Sequence, residues 1–402
     1  MQIVDKQIGV GTLEITEKER SYVLDVLTNN RLSYGPYSKK FERAFAAMHD
    51  MKYGIFVNSG TSALSIAIAC LKEMDNWHDG DEILVPALTF VATANVVLEH
   101  GLIPVFVDCR PDTYNMDPGE IERRITKRTR AIMPVHLFGL IADMDPIVKI
   151  AHQHKLRIIE DSCETIGVSY RGKKAGSFGD ISCYSTYVAH FIVTGIGGLA
   201  VTNDPQKAEI LRSLANHGRD SIYMSIDDDK DLDGLTFREV IRRRFRFVRR
   251  GYSFRATEME AAIGVGQLER FSDILRARQH NASRLSEILK PFSSWLQLPS
   301  WDTNVQEHGF MMYPIVVKPD APFTKEELVH HIETWNIESR DMMPLINQPV
   351  YAFMNIQQEE YPVASWINRC GFYIGCHQNM HEKDLLYVGN VFREFFKKTS
   401  LL

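Results

Sequence analysis

At 402 residues the chain has room for two or three domains. Its composition, 45% hydrophobic and 24% charged, is that of an ordinary globular protein rather than a disordered or fibrous one. A net charge of −5 argues against a general nucleic-acid binder.

Residues 1–15 contain no apolar run of signal-peptide length. The six cysteines form no Cys-x-x-Cys pair and mostly sit in apolar surroundings, as reduced thiols of a cytoplasmic protein do. Two long uncharged stretches, 53–71 and 181–201, carry internal glycines and read as buried strand–loop segments, not membrane spans.

Thr16-Glu-Lys-Glu19 is a capping-box pattern opening a first helix, and Ser33-Tyr-Gly-Pro36 is a turn before a second amphipathic helix over 38–50. Short apolar strands at 54–57, 82–86, 103–108, 131–135 and 157–161 then alternate with helical segments near 61–73, 91–100, 118–127 and 144–154. Crossovers of that length predict an α/β fold: a mostly parallel sheet sandwiched by helices. Ligands of such sheets sit at the carboxyl ends of the strands. That rule singles out 58–62, 86–93, 136–139, 161–164 and 185–190.

The stretch 182–202 reads as a strand, an irregular turn and a second strand after Gly197-Gly198, with His190 between two apolar runs. A helix over 205–216 follows. Asp229-x-Asp231-x-Asp233-Gly234 imitates the start of a calcium loop, but Val240 stands where the bidentate Glu belongs, so a solvated acidic loop and no metal are expected. Arg242-Arg-Arg-Phe-Arg-Phe-Val-Arg-Arg250 interleaves basic and aromatic residues. It is short and countered by the acidic run, which favours an interface or phosphate-facing segment over nucleic acid. Residues 255–290 form one long helical pattern. Beyond Pro299, a strand over 309–317, a helix capped by Thr324-Lys-Glu-Glu327, a loop over 344–351 and a helix over 381–397 read as a smaller C-terminal α+β domain. The expected division is 1–265 and 266–402.

Asn58-Ser-Gly-Thr-Ser62 joins a strand to a helix, so Ser59, Gly60 and Thr61 offer amides and hydroxyls to an anion at a helix N-terminus. Phe90 reads either as a core aromatic or as a platform for a planar ring. Asp161 ends a strand, where a carboxylate suits capping or catalysis; opposite a heterocyclic nitrogen it would keep that nitrogen protonated. Glu164 faces either the same site or water. With Ser185 as a further hydroxyl, these parts suit a phosphorylated planar heterocycle.

Several blocks carry a resemblance across nearly the whole chain. They include Asn58-Ser-Gly-Thr-Ser-Ala-Leu64, Pro86-Ala-Leu-Thr-Phe90, Pro104-Val-Phe-Val-Asp108, Glu160-Asp161, Gly176-Ser-Phe-Gly-Asp180, Gly197-Gly198 and Arg255-Ala-Thr-Glu-Met-Glu-Ala-Ala-Ile-Gly264. In these the chain resembles the DegT/DnrJ/EryC1/StrS sugar aminotransferase family of fold type I pyridoxal phosphate enzymes. The resemblance implies pyridoxal or pyridoxamine 5'-phosphate as cofactor and a homodimer with active sites shared between subunits.

At the position matching His190, aminotransferases of the family carry the lysine that binds the cofactor covalently. Histidine there resembles the 3-dehydratases of nucleotide-linked 4-keto-6-deoxy sugars, as do Glu164 in place of a more usual Gln, the block Gly371-Phe-Tyr-Ile-Gly375, and Arg340 with Asn347-Gln-Pro349. One kind of such dehydratase is similar around His217-Gly-Arg-Asp220 but follows it with cluster-binding cysteines. Here Ser221-Ile-Tyr-Met224 follows, and no cysteine lies between Cys183 and Cys370, so no iron–sulfur cluster is expected. The resemblance thus implies the self-contained kind, taking its amine from glutamate, with His190 as the catalytic proton carrier. Ser253 stands where relatives carry an Asn that reaches across the dimer to the phosphate. His217, Arg219, Arg340 and His377 are candidates for the nucleotide-sugar substrate. Phe191 and Ile196 suggest a more apolar active-site wall than in relatives. An aminotransferase-like activity and a non-catalytic binding or regulatory role stand as alternatives. Neither membrane nor nucleic acid is expected as a partner.

Overall fold

A computed structural model describes residues 3–4, 6–220, 234–342 and 345–399. The acidic run 227–233, the segment 221–224 and Pro344 lie outside the described residues.

The chain opens with α1 (Glu17–Thr28) and α2 (Pro36–Met48). The expected capping box starts α1: the Thr16 amide donates to Oε2 of Glu19 at 2.9 Å. Alternation follows, through β1 (Tyr53–Val57), α3 (Gly60–Asp75), β2 (Glu82–Pro86), α4 (Val91–Glu99), β3 (Ile103–Val107), α5 (Pro118–Ile121), β4 (Thr129–Ile132), α6 (Met144–His154) and β5 (Arg157–Asp161). A small hairpin, β6 (Ser169–Tyr170) and β7 (Lys173–Lys174), precedes β8 (Ile181–Ser185) and β9 (Gly198–Thr202). Next come α7 (Pro205–Ala215), α8 (Gly234–Arg243), α9 (Glu258–Glu269), α10 (Phe271–Leu289), β10 (Leu296–Gln297), β11 (Tyr313–Val317), α11 (Lys325–Thr334), β12 (Ser339–Asp341), α12 (Pro362–Cys370), β13 (Gly371–Ile374) and α13 (Glu382–Lys398).

Seven strands form the main sheet in the order β1-β9-β8-β5-β4-β2-β3. The β2–β3, β2–β4, β4–β5 and β5–β8 pairs are parallel, and only β9 runs against its neighbours. The reason is the connection. The helix crossovers bring strands back in the same direction, whereas the loop from Ser185 to Gly198 has no helix and returns directly, so β8 and β9 pair antiparallel. The carboxyl ends of β1, β2, β4, β5 and β8 therefore share one edge, and the loops singled out by sequence lie along it. Helix α3 is apolar on nearly every side and packs against the sheet and α7 with most of its first twelve residues buried. A second, four-stranded sheet, β10-β11-β13-β12, is antiparallel throughout and has its own apolar core with α10, α11 and α13.

Three expected elements differ. The helix over 255–290 is broken at Arg270, where φ is −116° and ψ is 11°. The Arg270 guanidinium reaches Glu19 at 3.1 Å and Glu14 at 2.7 Å, pinning this corner to the start of α1. The helix over 118–127 ends early, because Ile125 is extended and Thr126 instead bonds Glu82 at 2.5 Å. The strand over 309–317 begins only at Tyr313: the Gly309 and Met311 amides donate to Gly139 and Phe138 carbonyls at 2.7 and 3.1 Å. That pairing ties the second sheet to a loop of the site edge. Among the described residues no helix is long and apolar enough to cross a membrane.

Candidate active site

Helix α3 starts on the site edge. Ser59 is its N-cap, extended at φ −166°, with its hydroxyl accepting from the Ser62 amide at 3.0 Å. The first amides of any helix lack intrahelical acceptors, so Gly60 and exposed Thr61 present their N–H groups outward. Gly60 is required for close packing. A Cβ there would fall 2.8 Å from Ser185 Cβ and 2.9 Å from Cys163 Sγ. The segments at the ends of β1, β5 and β8 thus converge at the start of α3, with Ser59 and buried Ser185 beside its first amides.

Phe90, the residue before α4, is 57% exposed. A large apolar ring left this open at the strand edge is not part of the core and leaves its face available. Asp161 ends β5 and is 4% exposed. Its carboxylate accepts from the Thr93 hydroxyl at 2.9 Å and the Cys163 amide at 3.2 Å. Burial raises its pKa, opposed by the bonds from Cys163 and Thr93. A protonated ring nitrogen facing it would supply the positive charge that burial otherwise makes costly to go without.

Glu164 is buried too and turns into the site edge rather than to water, accepting from the Phe138 amide at 2.8 Å. Phe138 is held at φ 58°, an uncommon conformation for a non-glycine residue, which aims that amide. Burial pushes the Glu164 carboxyl up to about 7, with the Phe138 bond opposing. Nearby, His136 Nε2 lies 3.0 Å from Glu160, while its Nδ1 accepts from the Ala142 amide. The imidazole therefore donates to Glu160, which also gathers the amides of Gly176, Phe178 and Gly179. That network props β5 from behind.

The His190 turn is stapled at its base. Thr186 and Thr194 hydroxyls lie 2.6 Å apart, and their backbones bond to Gly197 and to each other at 2.9 Å. The His190 amide donates to the Tyr187 carbonyl at 2.9 Å. Its ring is half-buried; Nδ1 is shielded from solvent and without a partner among the described residues. Burial lowers its pKa to about 4, helped by Arg278 and opposed by the Cys163 carbonyl. At neutral pH it is an uncharged base. Neither Lys174 nor Lys207, among the nearest lysines in sequence, takes its place: Lys174 Nζ bonds the Gly167 carbonyl at 2.9 Å, and Lys207 Nζ bonds Asp204 at 3.0 Å.

The remaining candidates fall elsewhere. Ser253 accepts from Arg255 at 2.9 Å, and the same Arg255 nitrogen lies 3.0 Å from His217 Nε2. This exposed trio runs along the free edge of β1, where the Asn58 amide donates to the Phe254 carbonyl at 2.8 Å. Arg219 is turned into its own chain, between the rings of Phe245 and Phe247 at 5.3 and 5.6 Å. Arg340 pairs with Glu338 and lies opposite Tyr373 on β13, a buried tyrosine whose hydroxyl is influenced by both Glu164 and Arg340. His377 is 8% exposed and lines a cleft of about 820 Å³ between the N-terminal segment and the start of α13; Gly11 of the same cleft lies against Val188 and Ala189 of the His190 turn. Phe191, expected in the active-site wall, is fully buried. It packs against Gly309, Phe271 and Arg278, because an apolar ring after the His190 turn gains more from the core than from the site. Ile196 alone stays open, at 53%.

Thr93, Cys163, Arg255 and Tyr373 lie within stretches marked from sequence but were given no role of their own, and Arg278 was not singled out at all. Thr93 had a signal, lying one helical turn after Phe90 on the site edge. Arg278 had none.

The DegT/DnrJ/EryC1/StrS aminotransferase family matches residues 13–393. A GDP-perosamine synthase of Caulobacter vibrioides is 34% identical over 381 residues, covering 94% of this chain and 95% of that protein. A GDP-4-keto-6-deoxy-D-mannose 3-dehydratase of Yersinia pseudotuberculosis is 30% identical over 370 residues, 90% of this chain and 92% of that protein. Among solved structures, the E. coli GDP-4-keto-6-deoxy-D-mannose-3-dehydratase with bound hydrated PLP superposes with a TM-score of 0.87 at 26% identity, covering 97% of this chain and 100% of that one. This chain belongs to the DegT/DnrJ/EryC1/StrS aminotransferase family.

Proposed function

We propose that the protein is a pyridoxamine phosphate-dependent 3-dehydratase that removes the C3 oxygen of a nucleotide-linked 4-keto-6-deoxy sugar, with glutamate as amino donor. The observation that carries this reading is His190, an uncharged imidazole where transaminating relatives have a lysine.

The site residues fit pyridoxal 5'-phosphate and its amine form. The amides of Gly60 and Thr61 and the hydroxyls of Ser59 and Ser185 would hold the phosphate. Phe90 would offer its face to the ring, and Asp161, steadied by Thr93, would keep the ring nitrogen protonated. Glu164 lies along the same edge, poised by burial between its acid and carboxylate forms. When bound, the cofactor supplies the amine that condenses with the sugar ketone and a ring that accepts an electron pair from C4′. His190 takes the proton from C4′ and gives it to the departing C3 hydroxyl. With its pKa near 4, the imidazole is free to accept that proton and gives it up readily. In balance, glutamate becomes 2-oxoglutarate and ammonia while the sugar loses one oxygen. Ser253 is proposed for the cofactor phosphate across a dimer, His217, Arg219, Arg340 and His377 for the substrate, and a homodimer to complete each site.

The similarity to GDP-perosamine synthase favours a second reading, transfer of the amine to C4 of the sugar. One experiment separates the two. The purified protein is incubated with pyridoxal phosphate and glutamate, and the change in absorbance from the aldehyde to the amine form is followed. A nucleotide-linked 4-keto-6-deoxy sugar is then added. Ammonia and a sugar one oxygen lighter support the dehydratase. A stable 4-amino sugar without ammonia supports the alternative, and no cofactor uptake sinks both.

A further inference from the structure

The cleft between the N-terminal segment and α13 has a buried end and an open end. At the buried end stands His377, whose Nδ1 is shielded from solvent and has no partner among the described residues. The other ring nitrogen faces the Gly9 carbonyl, and burial lowers the pKa to about 4, with Arg278 and Lys6 adding to it and Asp384 opposing. The ring is therefore uncharged, its proton is on Nε2, and Nδ1 is left as a bare acceptor. A buried acceptor without a donor costs free energy that a bound donor would recover. At the open end, Lys6 and Lys383 are exposed, and neither makes an ion pair among the described residues.

Both walls are held firmly. The Ile8 amide donates to the Asn336 carbonyl and the Glu338 amide to the Ile8 carbonyl, each at 2.9 Å, and the Val10 amide donates to the Glu338 carboxylate at 2.8 Å. The N-terminal segment thus lies along the approach to β12. Opposite it, Asn281 holds the His377 carbonyl at 2.8 Å, and Asn379 donates to the Thr12 hydroxyl at 3.1 Å, joining the two walls. Among the described lining residues the one acid, Asp384, is spent on the His381 amide at 2.8 Å. Gly11 carries the cleft to the His190 turn: a Cβ there would fall 3.2 Å from Ala189 Cα, one residue before His190.

We propose that this cleft seats a phosphorylated sugar: His377 Nδ1 accepts from a hydroxyl of the hexose at the buried end, and Lys6 and Lys383 meet its diphosphate at the open end. A ligand that brings hydroxyl donors and negative charge together answers both halves of the lining. A simple anion would leave Nδ1 unmet, and an apolar ligand would leave both lysines unmet. The volume of about 820 Å³ is that of a small-molecule site. Naming the ligand as nucleotide-linked rests on the proposed function; the hydroxyl and anion seats follow from the cleft itself.

The test is calorimetric titration of the purified full-length protein. The probes are GDP-mannose, UDP-glucose and dTDP-glucose, which carry a hydroxyl at C4 in place of the ketone and so cannot condense with an amine, and the bare diphosphates GDP, UDP and dTDP. His377→Gln keeps a donor toward Gly9 but lacks the Nδ1 acceptor. With the nucleotide that binds tightest, it should hold the sugar nucleotide about 10-fold more weakly and the bare diphosphate as the native protein does. Lys6→Gln combined with Lys383→Gln should weaken both ligands alike, by about 10-fold or more. If the His377 variant does not fold, the exposed lysine pair decides the matter. His377→Gln weakening both ligands equally or neither, native affinity in the double lysine variant, or no binding by the native protein overturns the proposal. The expected pattern together with no ammonia released from a 4-keto sugar overturns the proposed function alone.

Discussion

Thr93 donates its hydroxyl hydrogen to Asp161 across 2.9 Å, joining the first turn of α4 to the end of β5. The bond holds Oδ2, while the Cys163 amide holds Oδ1, so the two together fix the plane of the carboxylate. Among the described residues Thr93 and the Cys163 amide are the donors to this carboxylate, which is 4% exposed. Asp161→Asn removes the charge while keeping the shape. Cofactor-dependent turnover should fall about 10²- to 10³-fold, the size of a lost charge-stabilising group. Thermal stability of the cofactor-free protein should rise, because a buried carboxylate without a counter-ion is relieved. Paired melting curves and turnover assays check both signs.

The start of α3 makes a steric prediction. Gly60→Ala puts a methyl 2.8 Å from Ser185 Cβ and 2.9 Å from Cys163 Sγ, neither of them the end of a long flexible chain. Overpacking of this kind costs about 1–3 kcal/mol. The three loops should be pushed apart and cofactor affinity should drop about 10-fold or more. Titration of the cofactor's absorbance against protein measures it, and affinity equal to the native protein's would show that the loops do not meet around the phosphate.

Glu164 gives a pH signature. Its carboxyl is raised from 4.5 to about 7 by burial, so between those values the folded protein holds a proton that the unfolded chain has released. Stability is therefore full below about pH 4.5 and declines as pH rises through 7, by about 3 kcal/mol for this group. Glu164→Gln cannot ionise and should escape that decline. Urea unfolding of both proteins at pH 5 and pH 8 should show the variant gaining on the native protein only at the higher pH. A constant difference would mean that Glu164 titrates normally.

Much of this was legible in the chain. Helix and strand periods are local, so the alternation from 53 to 161 and the strand–turn–strand around His190 could be read directly. The edge rule then gathered loops that the fold does bring to one edge of the sheet. What could not be read depends on what the chain meets after folding. Arg278 sits in a run, Arg276-Ala-Arg-Gln279, that looks like any solvated helix face, yet it is wholly buried beneath Phe191. Phe191 itself follows the catalytic candidate in sequence but turns into the core, because its partners Gly309 and Phe271 come from distant segments. The break at Arg270 has the same origin: its cause is the ion pairing to Glu14 and Glu19, some 250 positions away.

The stapled turn predicts a rigid base. Thr186→Val breaks the 2.6 Å contact with Thr194 and leaves the Thr194 hydroxyl with fewer partners. A buried hydrogen bond lost in this way costs about 1–3 kcal/mol. The His190 turn should loosen, lowering kcat while leaving cofactor affinity within about two-fold. Equal losses in both would place the threonines in cofactor binding instead.

The central claim is that His190 moves the proton at the cofactor's C4′ carbon. It is tested most directly by loading the native protein and His190→Asn with pyridoxamine phosphate and 2-oxoglutarate, the keto acid of the glutamate half-reaction, in deuterated water and following deuterium entering C4′ by mass spectrometry. The native protein should take up one deuterium per cofactor, and the variant should bind the cofactor yet exchange about 10²- to 10⁴-fold more slowly. Equal exchange in the two proteins would contradict the account.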